Sequence, residues 1–228
     1  MKYFIANWKA NKNLDETRLW VNEFFTKLDQ DGKTKKKLDE SSIKIVICPP
    51  FPLIYPLKEF LRNKKNIVAG SQDISKFEGG TFTGEVTAQN LSSLVEYTIL
   101  GHSERKKHLS EKDEDVLKKY ALAKRYGIEP IYCMAKPSLP LPSQLNFLCY
   151  EPPEAISKGD GLGNNESVSE ILKVREAVQL RPPIKFIYGG SVNKDNIKDY
   201  LQCKEIDGFL IGGASLDPTH FYSIVSMA

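Results

Sequence analysis

The chain carries eight short apolar runs, KYFIANW, IKIVICPP, NIVAGSQD, EYTILGHSE, EPIYCMA, LNFLCYEP, IKFIYGGS and DGFLIGGAS, bounded by turn-forming or polar residues. Their interiors are almost continuously hydrophobic, the pattern of strands covered on both faces. Between most of them, stretches such as LDETRLWVNEFFTKL and DEDVLKKYALAKRYG repeat apolar residues at helical spacing. Eight strand–helix units predict an α/β fold in which parallel strands close into a (βα)8 barrel. With 228 residues, 41% of them hydrophobic, the chain can bury one such core, and a single domain over 1–228 is expected.

One connection breaks the repeat. Between Ala135 and Asn146 lie only ten residues, KPSLPLPSQL, with three prolines and no room for a covering helix. An extended proline-rich segment rising about 3.1 Å per residue still spans about 30 Å, more than the roughly 17–20 Å of an average strand. A barrel is therefore expected whose fifth helix is missing or replaced by a short Pro-rich loop, and the strand it leaves uncovered should expose apolar surface unless Leu139, Leu141 and the prolines mask it.

The formal net charge of +3, from 32 basic and 29 acidic residues, provides no bulk field that calls for nucleic acid or a membrane surface. The basic run Lys33 to Leu38 reads as an extended solvated loop on the face away from the strand ends. Four cysteines without CxxC spacing, three of them inside strand runs, fit a reduced, cytoplasmic protein. No run approaches the length of a membrane span, and MKYFIANWKAN is too short an apolar stretch for a signal peptide.

In such a barrel the chemistry lies at the C-terminal strand ends. There the sequence places Asn7 and Lys9, Gln72, His102 and Glu104, Glu151, Ser191, and the pair Gly212 and Gly213. Paired glycines after strands seven and eight free backbone N–H groups to approach an anion, and GGASL can open a short extra helix beside them. A carboxylate, an imidazole, an ammonium group and an anion nest suit proton abstraction beside the carbonyl of a small phosphorylated sugar. His102 stands where HSER begins a helix, and the dipole there is expected to lower its pKa and keep the ring neutral.

NWK at the first strand, FTGEV after the third, LGHSER at the fourth, YEP at the sixth, YGGSV at the seventh and GFLIGGASL at the eighth together resemble the triosephosphate isomerase family, in its order and over nearly the whole chain. The resemblance implies an isomerase of glyceraldehyde 3-phosphate and dihydroxyacetone phosphate that uses no metal or organic cofactor. It implies Glu151 as the base, His102 as the neutral electrophile, and Lys9 as the positive charge for phosphate and oxyanion, with Asn7 beside it and Glu104 paired to it. Ser157, Ser191, Gly212 and Gly213 would hold the phosphate through backbone N–H groups, and residues 154–162 would cover the substrate. It also implies a homodimer, in which Thr83 reaches the Asn7 region of a second subunit.

The chain departs from the family at Glu154, where Trp is usual, at Ser157 for Gly, at Lys158 for a small residue, and at Ala135 and Lys136 for Gly-Glu. Those departures leave a second reading, a barrel that binds sugar phosphates and turns them over poorly.

Overall fold

The computed structural model describes residues 1–137, 141–152 and 166–228. Eight parallel strands close into a barrel in sequence order: β1 (Lys2–Asn7), β2 (Ile43–Cys48), β3 (Ile67–Ser71), β4 (Tyr97–Leu100), β5 (Glu129–Met134), β6 (Phe147–Tyr150), β7 (Lys185–Tyr188) and β8 (Gly208–Ile211). Closure is made by β1 against β8, with Tyr3 opposite Gly208 and Ala6 opposite Ile211. A Cβ on Gly208 would lie 2.5 Å from the Tyr3 carbonyl oxygen, so the seam requires glycine there.

Alternation along each strand divides the core in two. Ile5, Val46, Cys48, Ile99, Ile131, Cys133, Cys149, Ile187 and Leu210 fill the barrel. The alternate residues, Phe4, Ile45, Leu100, Tyr132, Leu148, Tyr150, Phe186 and Phe209, face the helices. Those helices are α1 (Leu14–Gln30), α2 (Gly32–Asp39), α3 (Ile54–Phe60), α4 (Ala88–Leu91), α5 (Ser103–Leu109), α6 (Asp113–Arg125), α7 (Val168–Ala177), α8 (Ile197–Gln202) and α9 (Pro218–Ser226). Across the closing seam, Trp20 and Phe24 of α1 stack with centroids 4.9 Å apart and meet Phe221 of α9.

The connection between β5 and β6 holds no helix among its described residues. Leu141 and Leu145 pack on the outer core, and Tyr120 of α6 donates to the Gln144 carbonyl at 3.0 Å. Outward-facing Tyr132 and Met134 are buried, so apolar residues of the short connection and of α6 cover the strand. Leu139 lies outside the described residues.

The basic run Lys33 to Leu38 is not a loop. It forms most of α2, started by Asp31, whose carboxylate accepts from the Lys33 and Thr34 N–H groups. Thr34 and Leu38, one turn apart, are its buried positions. Two anchors were too few for a periodic signal, whereas lysine itself is a good helix former.

Below the β3 end, buried Lys119 of α6 lies between Asp73, at 2.7 and 2.9 Å, and Glu111. Arg105 contacts both acids, at 2.9 and 3.0 Å. Lys119→Met would leave Arg105 alone to face both largely buried carboxylates, and should lower unfolding stability by about 3–5 kcal/mol in a urea titration. An unchanged unfolding midpoint would show that the cluster contributes little.

Candidate active site

Every described strand-end residue singled out from the sequence lies at the C-terminal mouth of the barrel. Asn7, at the end of β1, accepts from the Lys9 N–H at 3.1 Å and holds Lys9 in left-handed backbone, φ +53°, an unfavourable conformation for a non-glycine residue. The Lys9 ammonium reaches Glu104 at 2.5 Å. Gln72 donates to the carbonyls of Lys9 and Cys48 at 2.8 and 2.9 Å, joining the ends of β1, β2 and β3.

His102 caps α5. Its Nδ1 accepts the Glu104 N–H at 3.2 Å, which assigns the proton of the neutral ring to Nε2. Gly101 before it has φ +74°, and a Cβ there would press on Val116 at 3.1 Å, so the turn that aims the imidazole depends on glycine. Glu104 thus acts twice, its N–H fixing the His102 tautomer and its carboxylate holding Lys9.

Glu151 follows β6 and is only 2% exposed. One carboxylate oxygen lies 2.9 Å from His102 Nε2, and the other accepts the Ser103 N–H at 2.9 Å. Gly189 makes the space: a Cβ there would sit 2.8 Å from Cys149 Sγ and 2.9 Å from Glu151 Cγ. Ser103 was not singled out in the sequence, although the first N–H groups of any helix lack internal partners and the HSER start signals where they lie.

Burial alone would raise the pKa of Glu151, but His102, the Ser103 N–H and Lys9 hold it below the usual carboxylate range. For His102, burial disfavours the charged ring, yet the charge and hydrogen bond of Glu151 prevail and lift its pKa above the ordinary value, with Lys9 opposing. The lowering expected from the helix dipole is therefore overturned in this arrangement. The dipole is a local property of the chain, whereas only folding sets the Glu151 carboxylate against the ring.

Ser191 lies beyond β7, and its carbonyl accepts from Asn196 at 2.8 Å. Gly212 and Gly213 follow β8, and Gly213–Ser215 form a short 3-10 turn, the extra helical segment that GGASL predicts. A Cβ on Gly212 would lie 3.5 Å from the Lys9 ammonium nitrogen, so that charge stands beside Gly212. Trp20 of α1 steadies the turn by donating to the Ser215 carbonyl at 3.1 Å. Ser157, with Glu154 and Lys158, lies outside the described residues. Among the described residues no group of three or more His, Cys, Asp or Glu is arranged to hold a metal ion, and no helix is long and apolar enough to cross a membrane.

Chemically, the mouth offers a desolvated carboxylate in contact with an imidazole, one ammonium group, and an adjacent set of backbone N–H groups. Glu151→Gln should move the His102 titration to lower pH, because it removes the charge that raises it while burial, Lys9 and the Glu104 N–H remain. Imidazole resonances followed by NMR across pH would show this, and an unchanged or raised His102 pKa would contradict the electrostatic account.

Comparison with known proteins places these features. The family model described as triosephosphate isomerase matches residues 2–139 and 142–228, breaking only inside the Pro-rich connection. A triosephosphate isomerase from Mesomycoplasma hyopneumoniae (strain 7448) is 35% identical over 246 aligned positions, covering 98% of each chain. Those from Dictyoglomus thermophilum and Aquifex aeolicus are 34% and 32% identical, covering 98% and 96% of each chain. An alignment of 246 positions exceeds the 228 residues present, so that relative carries stretches this chain lacks.

Proposed function

The chain belongs to the triosephosphate isomerase family, and from that premise we propose that it interconverts D-glyceraldehyde 3-phosphate and dihydroxyacetone phosphate by proton transfer through an enediolate. The observation that carries this reading is the buried Glu151 carboxylate held 2.9 Å from His102 Nε2, beside the Lys9–Glu104 pair. A carboxylate base paired with a neutral imidazole is the established chemistry of this family.

In the proposed reaction Glu151 removes the proton from the carbon beside the carbonyl and returns it to the neighbouring carbon. The Nε2–H of His102, which lies 2.9 Å from Glu151, donates to the substrate oxygens. A neutral ring suits this role because it donates to an enediolate oxygen and exchanges a proton with it without forming too strong an acid. Lys9 offsets the phosphate and the developing negative charge, and Asn7 and Glu104 keep its ammonium in place. The backbone N–H groups of Ser191, Gly212 and Gly213 take the phosphate, where donors aimed at an anion need no reorganisation. The four free, buried thiols support a cytoplasmic enzyme.

A coupled assay of glyceraldehyde 3-phosphate isomerisation tests the reading. Glu151→Gln should lower turnover by at least about 10²–10⁴-fold, the usual value of a positioned base, while phosphate still inhibits at the parental concentration. Equal turnover in that variant would remove Glu151 from the mechanism. An unsubstituted chain that binds a phosphorylated mimic without turnover would instead favour the sugar-phosphate-binding barrel.

The same premise leads us to infer a homodimer through the connection that follows β3. Its Phe77 and Phe82 rings stack 3.7 Å apart, Phe82 remains 40% exposed, and Thr83 beside it is also exposed, a stiffened apolar tip suited to burial by a second copy. Sedimentation at micromolar concentration should give a dimer and Thr83→Asp a monomer. A fully active parental monomer would refute the assembly.

A further inference from the structure

Glu166 immediately precedes Ser167, the N-cap of α7, and is gripped through both backbone and side chain. Its N–H donates to the Tyr188 hydroxyl at 3.4 Å, and its carbonyl accepts from Tyr200 at 3.0 Å. Its carboxylate accepts from the Tyr150 hydroxyl at 3.1 Å. The Tyr188 hydroxyl also bonds Tyr200, and their ring centroids lie 5.0 Å apart. Burial pushes the pKa of both phenols up, which keeps their protons in place as donors.

The position of these tyrosines in the sheet gives the cluster its meaning. Tyr150 and Tyr188 are register partners across β6 and β7. Tyr150 belongs to the outer core and Cys149 to the inner one, so the strand's alternation brings Glu151, next in sequence, to the barrel mouth. Tyr188 precedes the Gly189–Gly190–Ser191 turn, and a Cβ on Gly190 would collide with the Tyr188 hydroxyl, so that ring folds back over its own turn. The Glu166 carboxylate therefore bonds the strand that aims the base, while its backbone bonds the strand that carries the anion turn.

We propose that Glu166 is a positioning residue: its carboxylate, held by the Tyr150 hydroxyl, fixes the end of β6 and with it the aim of Glu151 relative to the Ser191 turn. The inference rests on the isomerase reading. It assigns to Tyr150 and Glu166 an effect on turnover without any contact with substrate.

The test is steady-state isomerisation by the full chain and four variants, Tyr150→Phe, Glu166→Ala, Glu166→Gln and the Tyr150→Phe/Glu166→Ala double substitution, with kcat and KM determined separately. Tyr150→Phe and Glu166→Ala should each lower kcat about tenfold, less than the roughly 100-fold that a 1 Å misplacement costs, with KM and inhibition by inorganic phosphate unchanged. The double variant should be no slower than either single one, and Glu166→Gln, which keeps an acceptor, should recover most of the loss. An unchanged kcat in Tyr150→Phe, multiplying losses in the double variant, or a fall in kcat matched by a loss of folded protein would overturn the proposal. An inactive parent would remove the isomerase reading and this inference with it, whereas a fully active Tyr150→Phe beside an active parent removes the inference alone.

Discussion

The hydrogen-bonded closure of β1 onto β8 is the constraint on which the remainder depends. Only a ring brings the ends of all eight strands to one mouth, so that Lys9 from the first unit meets Gly212 from the last. Parity along each strand is equally strict, because a slip of one residue would exchange the inner and outer sets. Such a slip on β6 would turn the tyrosine inward and the glutamate outward. Close approaches at Gly70, Gly189 and Gly208, where a Cβ would come within 2.9 Å of neighbouring atoms, hold the register against that error.

Within the mouth, charges are placed by other charges and by orphan backbone donors. Glu151 is buried almost completely, an expensive state for a carboxylate, offset by the Ser103 N–H, by the imidazole and at longer range by Lys9. Glu104 couples the two halves of the arrangement. Its side chain holds the ammonium group, and its peptide N–H determines which imidazole nitrogen carries the proton. Altering one member of this set changes the electrostatic environment of the others, and substitutions among them will not combine additively.

The fifth connection shows how a barrel retains its core without one of its covering helices. Leu141 and Leu145 pack on the outer layer, and Tyr120 reaches from α6 to bond the backbone of the short segment. At the opposite end of β5, Glu129 accepts from Asn146 at 2.9 Å and pairs with Lys124 at 3.2 Å, tying the two strands together where the missing helix would have ended. The family match breaks within this connection, consistent with a local shortening that leaves the strand order intact.

The sequence by itself determined the architecture, the short fifth connection and which described residues stand at the barrel mouth. Each of these is written locally: continuous apolar runs for strands covered on both faces, prolines that exclude a helix, and polar residues standing where apolar runs stop. It did not disclose α2, whose Thr34 and Leu38 anchors make no periodic pattern among four lysines. Nor did it disclose the Ser103 N–H beneath Glu151, or the Tyr150–Glu166 bond between residues 16 positions apart. The electrostatic state of His102 was decided by the tertiary structure alone. A helix dipole is a property of neighbours in sequence, but the carboxylate that reverses its effect comes from a strand 49 positions away, and only barrel closure determines that the two meet.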